Sequence, residues 1–150
     1  MKTKYKYILL GIIGLLLMAL MLIIGLRTLV MSIANQRTCE WANIDNIELN
    51  AKIDIPSILD SDCEYLDSIN TKKAYFKFDQ THFDGDYYIE VNQLKSLDTK
   101  HTGIDFINFN TDSLSVDALY YKSRTGHKSN SYVLFDKNKE QLWVSIQYAD

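Results

Sequence analysis

Glycine is scarce in this 150-residue chain: six in all, of which Gly85, Gly103 and Gly126 stand alone. A loop that cradles phosphate needs glycines close together at the start of a helix, so nucleotide binding of that kind is excluded. The serine-nucleophile turn Gly-x-Ser-x-Gly is also missing, which removes the simplest route to a Ser-His-Asp hydrolase. The three histidines, His82, His101 and His127, are widely spread and form no His-Glu-x-x-His pair, which argues against a zinc centre. The two cysteines have no Cys-x-x-Cys spacing. No Asn-x-Ser/Thr acceptor occurs, so nothing marks a eukaryotic secretory route.

Acid is missing from the first 37 residues, which nonetheless hold five of the 16 basic side chains. Within them Ile8 to Leu26 is an uncharged run of 19 residues. As a helix it reaches about 28 Å, close to the thickness of a bilayer core. A cleavable signal has a shorter apolar core ending in small residues. The small residues Ser32-Ile33-Ala34 lie beyond Arg27, past the end of that core. The expectation is a retained signal-anchor helix over 8–26. Lys2, Lys4 and Lys6 outweigh Arg27 and Arg37, so residues 1–7 are expected in the cytoplasm and the remainder outside it. The lipid bilayer is the partner of this helix. Residues 27–38 read as a short stalk, in which Leu29, Val30 and Ile33 prolong an apolar stripe.

Residues 39–150 are the size of one domain. Beyond residue 37 the net charge is −8, which argues against a nucleic-acid backbone as partner and against electrostatic adhesion to an anionic membrane surface, and favours a basic protein. The acids concentrate between Glu40 and Asn70, where eight stand against Lys52 alone. Asp60, Asp62, Glu64 and Asp67 are the candidate partner-binding residues there. Tyr120 to Lys139 is basic by contrast, so the domain is either dipolar or self-neutralising. In an oxidising extracytoplasmic space, Cys39 and Cys63 are read as a disulfide.

Pro56 and the spacing of Ile58, Leu59, Tyr65, Leu66 and Ile69 predict a helix over about 56–68. Ala74 to Phe78 alternates as a strand. Tyr88, Val91, Leu94 and Leu97 predict a second helix capped by Asp86, although 87–91 alone would pass for a strand. Period-two patterning follows at 104–109 and through Leu114, Val116, Ala118 and Tyr120. Tyr132–Phe135 and Leu142–Tyr148 form a hairpin around a polar loop in which Asn138 is suited to positive φ. The whole reads as an α+β fold: one N-terminal transmembrane helix, then helices packed on an antiparallel sheet.

The segment Asp79-Gln-Thr-His-Phe-Asp-Gly-Asp86 carries carboxylates and an imidazole but lacks the ligand order of a calcium loop, and a solvated turn is expected. No metal, cofactor or small-molecule substrate is implied. Among the aromatics, Trp143 lies opposite the apolar face of its own strand and is the candidate contact residue. These features favour a non-enzymatic protein-binding domain in the periplasm, anchored in a bacterial inner membrane. A specific form is an immunity protein or inhibitor that captures a toxin. The alternatives are an accessory or assembly subunit of an inner-membrane complex and, third, a periplasmic enzyme using carboxylates near Asp79–Asp86.

Overall fold

The first helix, α1, runs unbroken over Lys2–Ala34 in a computed structural model that describes residues 2–35, 37–39, 43–79, 81, 83–97 and 116–149. Its apolar part, Tyr5–Met31, is long and apolar enough to cross a membrane, and none of it is buried against the rest of the chain. Leu29 and Val30 continue the helix past Arg27, as the apolar stripe predicts.

A second helix, α2 (Asn43–Ala51), follows in the acidic stretch where the sequence patterning gave no helix. Ile44, Ile47 and Ala51 recur at helical spacing and pack into the core. Asp45 sits favourably in its first turn. Lys52 ends it in the left-handed region at φ 54°, donating its N–H to the Glu48 carbonyl at 2.8 Å.

The expected helix over 56–68 is instead a strand, β1 (Ile58–Leu66). It turns through a 3-10 segment at Asp67–Ile69 and through Asn70, at φ 47°, into β2 (Thr71–Phe78). The two pair antiparallel from Leu66 opposite Thr71 back to Ile58 opposite Phe78. Asp60-Ser61-Asp62 is a poor helical run, and pairing along a whole strand outweighs a loose local periodicity. Leu59 and Ile69, which the helical reading would bury, are exposed.

The helix expected from Tyr88 forms only as α3 (Gly85–Val91). Its N-cap is Asp84, not Asp86: the Asp84 carboxylate accepts from the N–H groups of Asp86 at 3.0 Å and Tyr87 at 3.1 Å. Gln93 at φ 56° then breaks the periodicity before Leu97, and a two-residue strand, β3 (Lys95–Ser96), follows. The patterned residues 104–109 and Leu114 lie outside the described residues, as do His82 and His101. Val116–Ala118 is a 3-10 turn, not a strand. Strands resume with β4 (Leu119–Thr125), β5 (Ser129–Asp136) and β6 (Gln141–Tyr148).

The expected β5–β6 hairpin forms, with longer strands and a shorter loop than the alternation of 132–135 and 142–148 predicts: Asp136 pairs with Gln141 and Ser129 with Tyr148. Positive φ falls on Glu140 and not on Asn138. Asp136 holds the turn, its carboxylate accepting from the N–H groups of Asn138 at 2.9 Å and Lys139 at 3.1 Å.

The strands form one antiparallel sheet in the order β1-β2-β6-β5-β4-β3. The helices α2 and α3 contribute Ile47, Ala51 and Tyr88 to one face, where Phe76, Phe78, Val133, Phe135, Leu142, Val144 and Ile146 are buried. Phe78, Phe83, Tyr88 and Phe135 form an aromatic knot there, with Phe78–Phe83 centroids 4.8 Å apart and Tyr88–Phe135 centroids 5.0 Å apart. The fold is the expected α+β arrangement.

Candidate functional site on the open face of the sheet

With the core on one face, alternation sends every second residue of β1, β2 and β6 to the other. The register lines these residues up. Asp62 stands opposite Tyr75, which stands opposite Trp143. On either side run the rows Asp60–Lys77–Gln141 and Glu64–Lys73–Ser145. Tyr75 and Trp143 pack ring to ring with centroids 5.7 Å apart. Asp60, Asp62 and Glu64 are exposed along β1, an edge strand. Charges on an edge discourage indiscriminate strand addition and leave side chains available for a specific contact. Toward β5 and β4 the same face closes, and Leu134 and Leu119 are buried.

Four of the five candidate contact residues, Asp60, Asp62, Glu64 and Trp143, are therefore on one face, although Trp143 lies about 80 positions away in the chain. Asp67 is not with them. It sits beyond the end of β1 within 3.8 Å of Arg37, in an exposed ion pair that contributes little to stability. The fold also tempers the acidity, because Lys73 and Lys77 stand across from Glu64 and Asp60. The Tyr75 hydroxyl is pushed above the usual tyrosine range by partial burial and then by the Asp60 carboxylate, with a hydrogen bond from Gln141 acting the other way. Tyr148, another strand aromatic, belongs instead to the core.

Cys39 and Cys63 are bonded, with Cα atoms 5.6 Å apart. The bond fastens the segment after α1 to the core-facing side of β1. A groove of about 470 Å³ opens beside it, with Asn43, Ser61 and Phe76 among its walls.

Behind that groove lies a buried polar cluster that composition does not announce. Lys72 is 1 % exposed. Its ammonium donates to Asn43 Oδ1 and, at 3.3 Å, to Asn46 Oδ1. Tyr148 donates its hydroxyl to the same Asn46 oxygen at 2.8 Å. The partners of Lys72 are amide oxygens rather than carboxylates, and burial pushes its ammonium down to about 8. An amine of lowered pKa is chemically suited to attack a carbonyl, but Lys72 is enclosed and its ammonium is held by the amide oxygens of α2. The strand alternation carried the signal: in Lys72-Lys73-Ala74-Tyr75-Phe76, the period that sends Tyr75 outward sends Lys72 inward with Ala74 and Phe76.

The acids of the Asp79–Asp86 loop are occupied locally. Asp79 accepts from the Thr81 hydroxyl at 2.6 Å, Asp84 caps α3, and Asp86 pairs with Lys137 at 2.6 Å. Among the described residues no three metal-ligating side chains come together. No family model matches the chain, and no curated protein or solved structure shows significant similarity to it.

Proposed function

We propose that this chain is a single-pass, membrane-anchored binding protein whose domain faces the periplasm of a bacterial cell and captures another protein with the open face of β1, β2 and β6. The observation that carries this reading is the row Asp62–Tyr75–Trp143, an aromatic pair beside the acids of an edge strand, on a sheet whose opposite face is closed by the core. Aromatic anchors within a polar rim suit a protein interface. The acids Asp60, Asp62 and Glu64 fit a basic partner and would speed encounter with it. Capture of a toxin by such an immunity protein or inhibitor is the specific form of this activity.

The anchor reading draws on the apolar length of α1. The orientation draws on the lysines at its start, which favour a cytoplasmic amino end. The test is affinity capture by the full-length protein from native membranes, comparing wild type with Asp60→Asn/Asp62→Asn/Glu64→Asn and with Trp143→Ala. A protein held by the wild type, released by high salt and lost with both variants is expected. A partner held equally by both variants sinks the assignment to this face. Capture that survives these variants but is lost when α1 is replaced by an unrelated transmembrane helix favours the assembly-subunit alternative.

A further inference from the structure

The acidity of the domain is not uniform in space. Asp60, Asp62 and Glu64 line the β1 edge, but the turn between β4 and β5 gathers positive charge against the end of α2. Lys52, Arg124, His127 and Lys128 border one groove of about 230 Å³ there, together with Leu49, and among the described residues no acidic side chain lines it. Arg124 donates to the Asn50 carbonyl at 3.0 Å. Lys122, two residues before it on the same side of β4, donates to the carbonyls of Lys52 and Asn92. Arg124 and Lys122 are thus held by neutral oxygens. The ion pairs among the described residues, Arg37–Asp67 and Lys137–Asp86, lie elsewhere. The lowered pKa of Lys122, owed to burial and then to Arg124, is consistent with uncompensated positive charge at this place.

The groove also has a fixed relation to α1. Asn46 donates its amide to the carbonyl of Ile33 at 2.8 Å, joining α2 to the end of α1. Ile33, Leu49 and Lys52 border a second groove of about 510 Å³ between the two helices. Lys52 and Leu49 thus stand at both grooves. Ile33 lies two residues past the apolar span that ends at Met31, so in a bilayer crossed by α1 these residues meet the headgroup layer. Leu49 is 59 % exposed, an apolar side chain at that level. The acids nearby are Asp45 and Asp54, both exposed, and Glu48, whose carboxylate accepts from the Ile55 N–H at 2.7 Å; Asp45 and Glu48 border the second groove, and none of the three borders the first.

We propose that the groove between Lys52 and the β4–β5 turn binds the phosphate of anionic lipid headgroups in the membrane that α1 enters, with Lys52, Arg124 and Lys128 holding the anion and Leu49 entering the interfacial layer. The inference rests on the reading of α1 as a retained membrane helix. Basic side chains at an anionic surface act together within a Debye length of it, and salt weakens them. The site would fix the tilt of the domain and turn the open face of β1, β2 and β6 toward the aqueous space.

The test uses the full-length protein in liposomes of phosphatidylcholine, with and without roughly a third phosphatidylglycerol. Alkaline carbonate washing comes first and reports the anchor alone. Amide hydrogen exchange of residues 124–129, followed by mass spectrometry, then reports the site. We expect this segment to exchange at least about threefold more slowly on the anionic liposomes. High salt should shrink the difference, and Lys52→Gln/Arg124→Gln/Lys128→Gln should abolish it. Exchange along 58–64 should not change. A chain stripped by carbonate overturns the anchor and the lipid site together; a retained chain with equal exchange on both liposomes overturns the site alone. Equal slowing on neutral liposomes given inorganic phosphate overturns the lipid in favour of a free anion.

Discussion

Asn46 donates to the Ile33 carbonyl at 2.8 Å and accepts from the Tyr148 hydroxyl at 2.8 Å, so one buried side chain joins the end of the apolar helix to the last strand of the sheet. Asn46→Ala leaves the Tyr148 hydroxyl without this acceptor and the Ile33 carbonyl without this donor. A loss of about 2–3 kcal/mol is expected. Urea unfolding of the full-length protein in detergent measures it, and a loss below about 0.5 kcal/mol would show that water replaces both bonds.

Lys72 gives the domain an alkaline stability profile. Its ammonium titrates near 8 when folded and near 10.5 when free. Between those values the unfolded chain binds more protons, so stability rises with pH across the window. With solvent screening discounted, a gain of about 1–2 kcal/mol is expected. Tyr88 and Tyr148 act in the opposite sense. Burial raises both hydroxyls above the ordinary tyrosine value of 10.0, so above that pH the unfolded state ionises first and stability falls. Urea midpoints should therefore peak between about pH 9 and about pH 10. Lys72→Met should remove most of the rise and keep the fall, leaving the smaller share that the lowered Lys122 ammonium contributes; a rise of undiminished size in that variant assigns it to another group.

Reduction should weaken the domain. The Cys39–Cys63 bond spans a separation of 24 residues, and a loop of that size corresponds to about 3 kcal/mol in the chain-entropy model. Cys39→Ser/Cys63→Ser should lose about that much, and added reductant should lower the midpoint of the wild type but not of the variant. Alkylation of the unreduced, unfolded protein reads the bond directly, with no thiol expected to react.

Asp84→Ala removes a cap that accepts two backbone N–H groups of α3. A loss of about 1–2 kcal/mol is expected, with Asp84→Asn retaining most of the stability. Tyr88 packs against Phe78 and Phe135 from this short helix, so near-ultraviolet circular dichroism of the aromatic knot reports the same change.

The sequence by itself determined the elements whose information is local. An apolar run of 19 residues specifies a helix in a bilayer, because there its backbone bonds must close within the segment. The β5–β6 hairpin was legible from alternation around a polar loop, and β2 from alternation alone. Two cysteines admit only one intramolecular pairing. Strand period also told which way Trp143 points.

Tertiary structure decided the rest. β1 carries a helical spacing but is a strand, because pairing with β2 and the bond at Cys63 are made with residues outside the segment. The same pairing creates the candidate site: Asp62 and Trp143 share a row only through Tyr75 of the strand between them. Lys72 faces the core as alternation requires, yet its amide partners come from α2, which the acidic composition of the segment concealed. A net charge likewise fixes the sum and not the arrangement. Register and packing set Lys73 and Lys77 across from the acids of β1, and gather Lys52, Arg124 and Lys128 beside the end of α2.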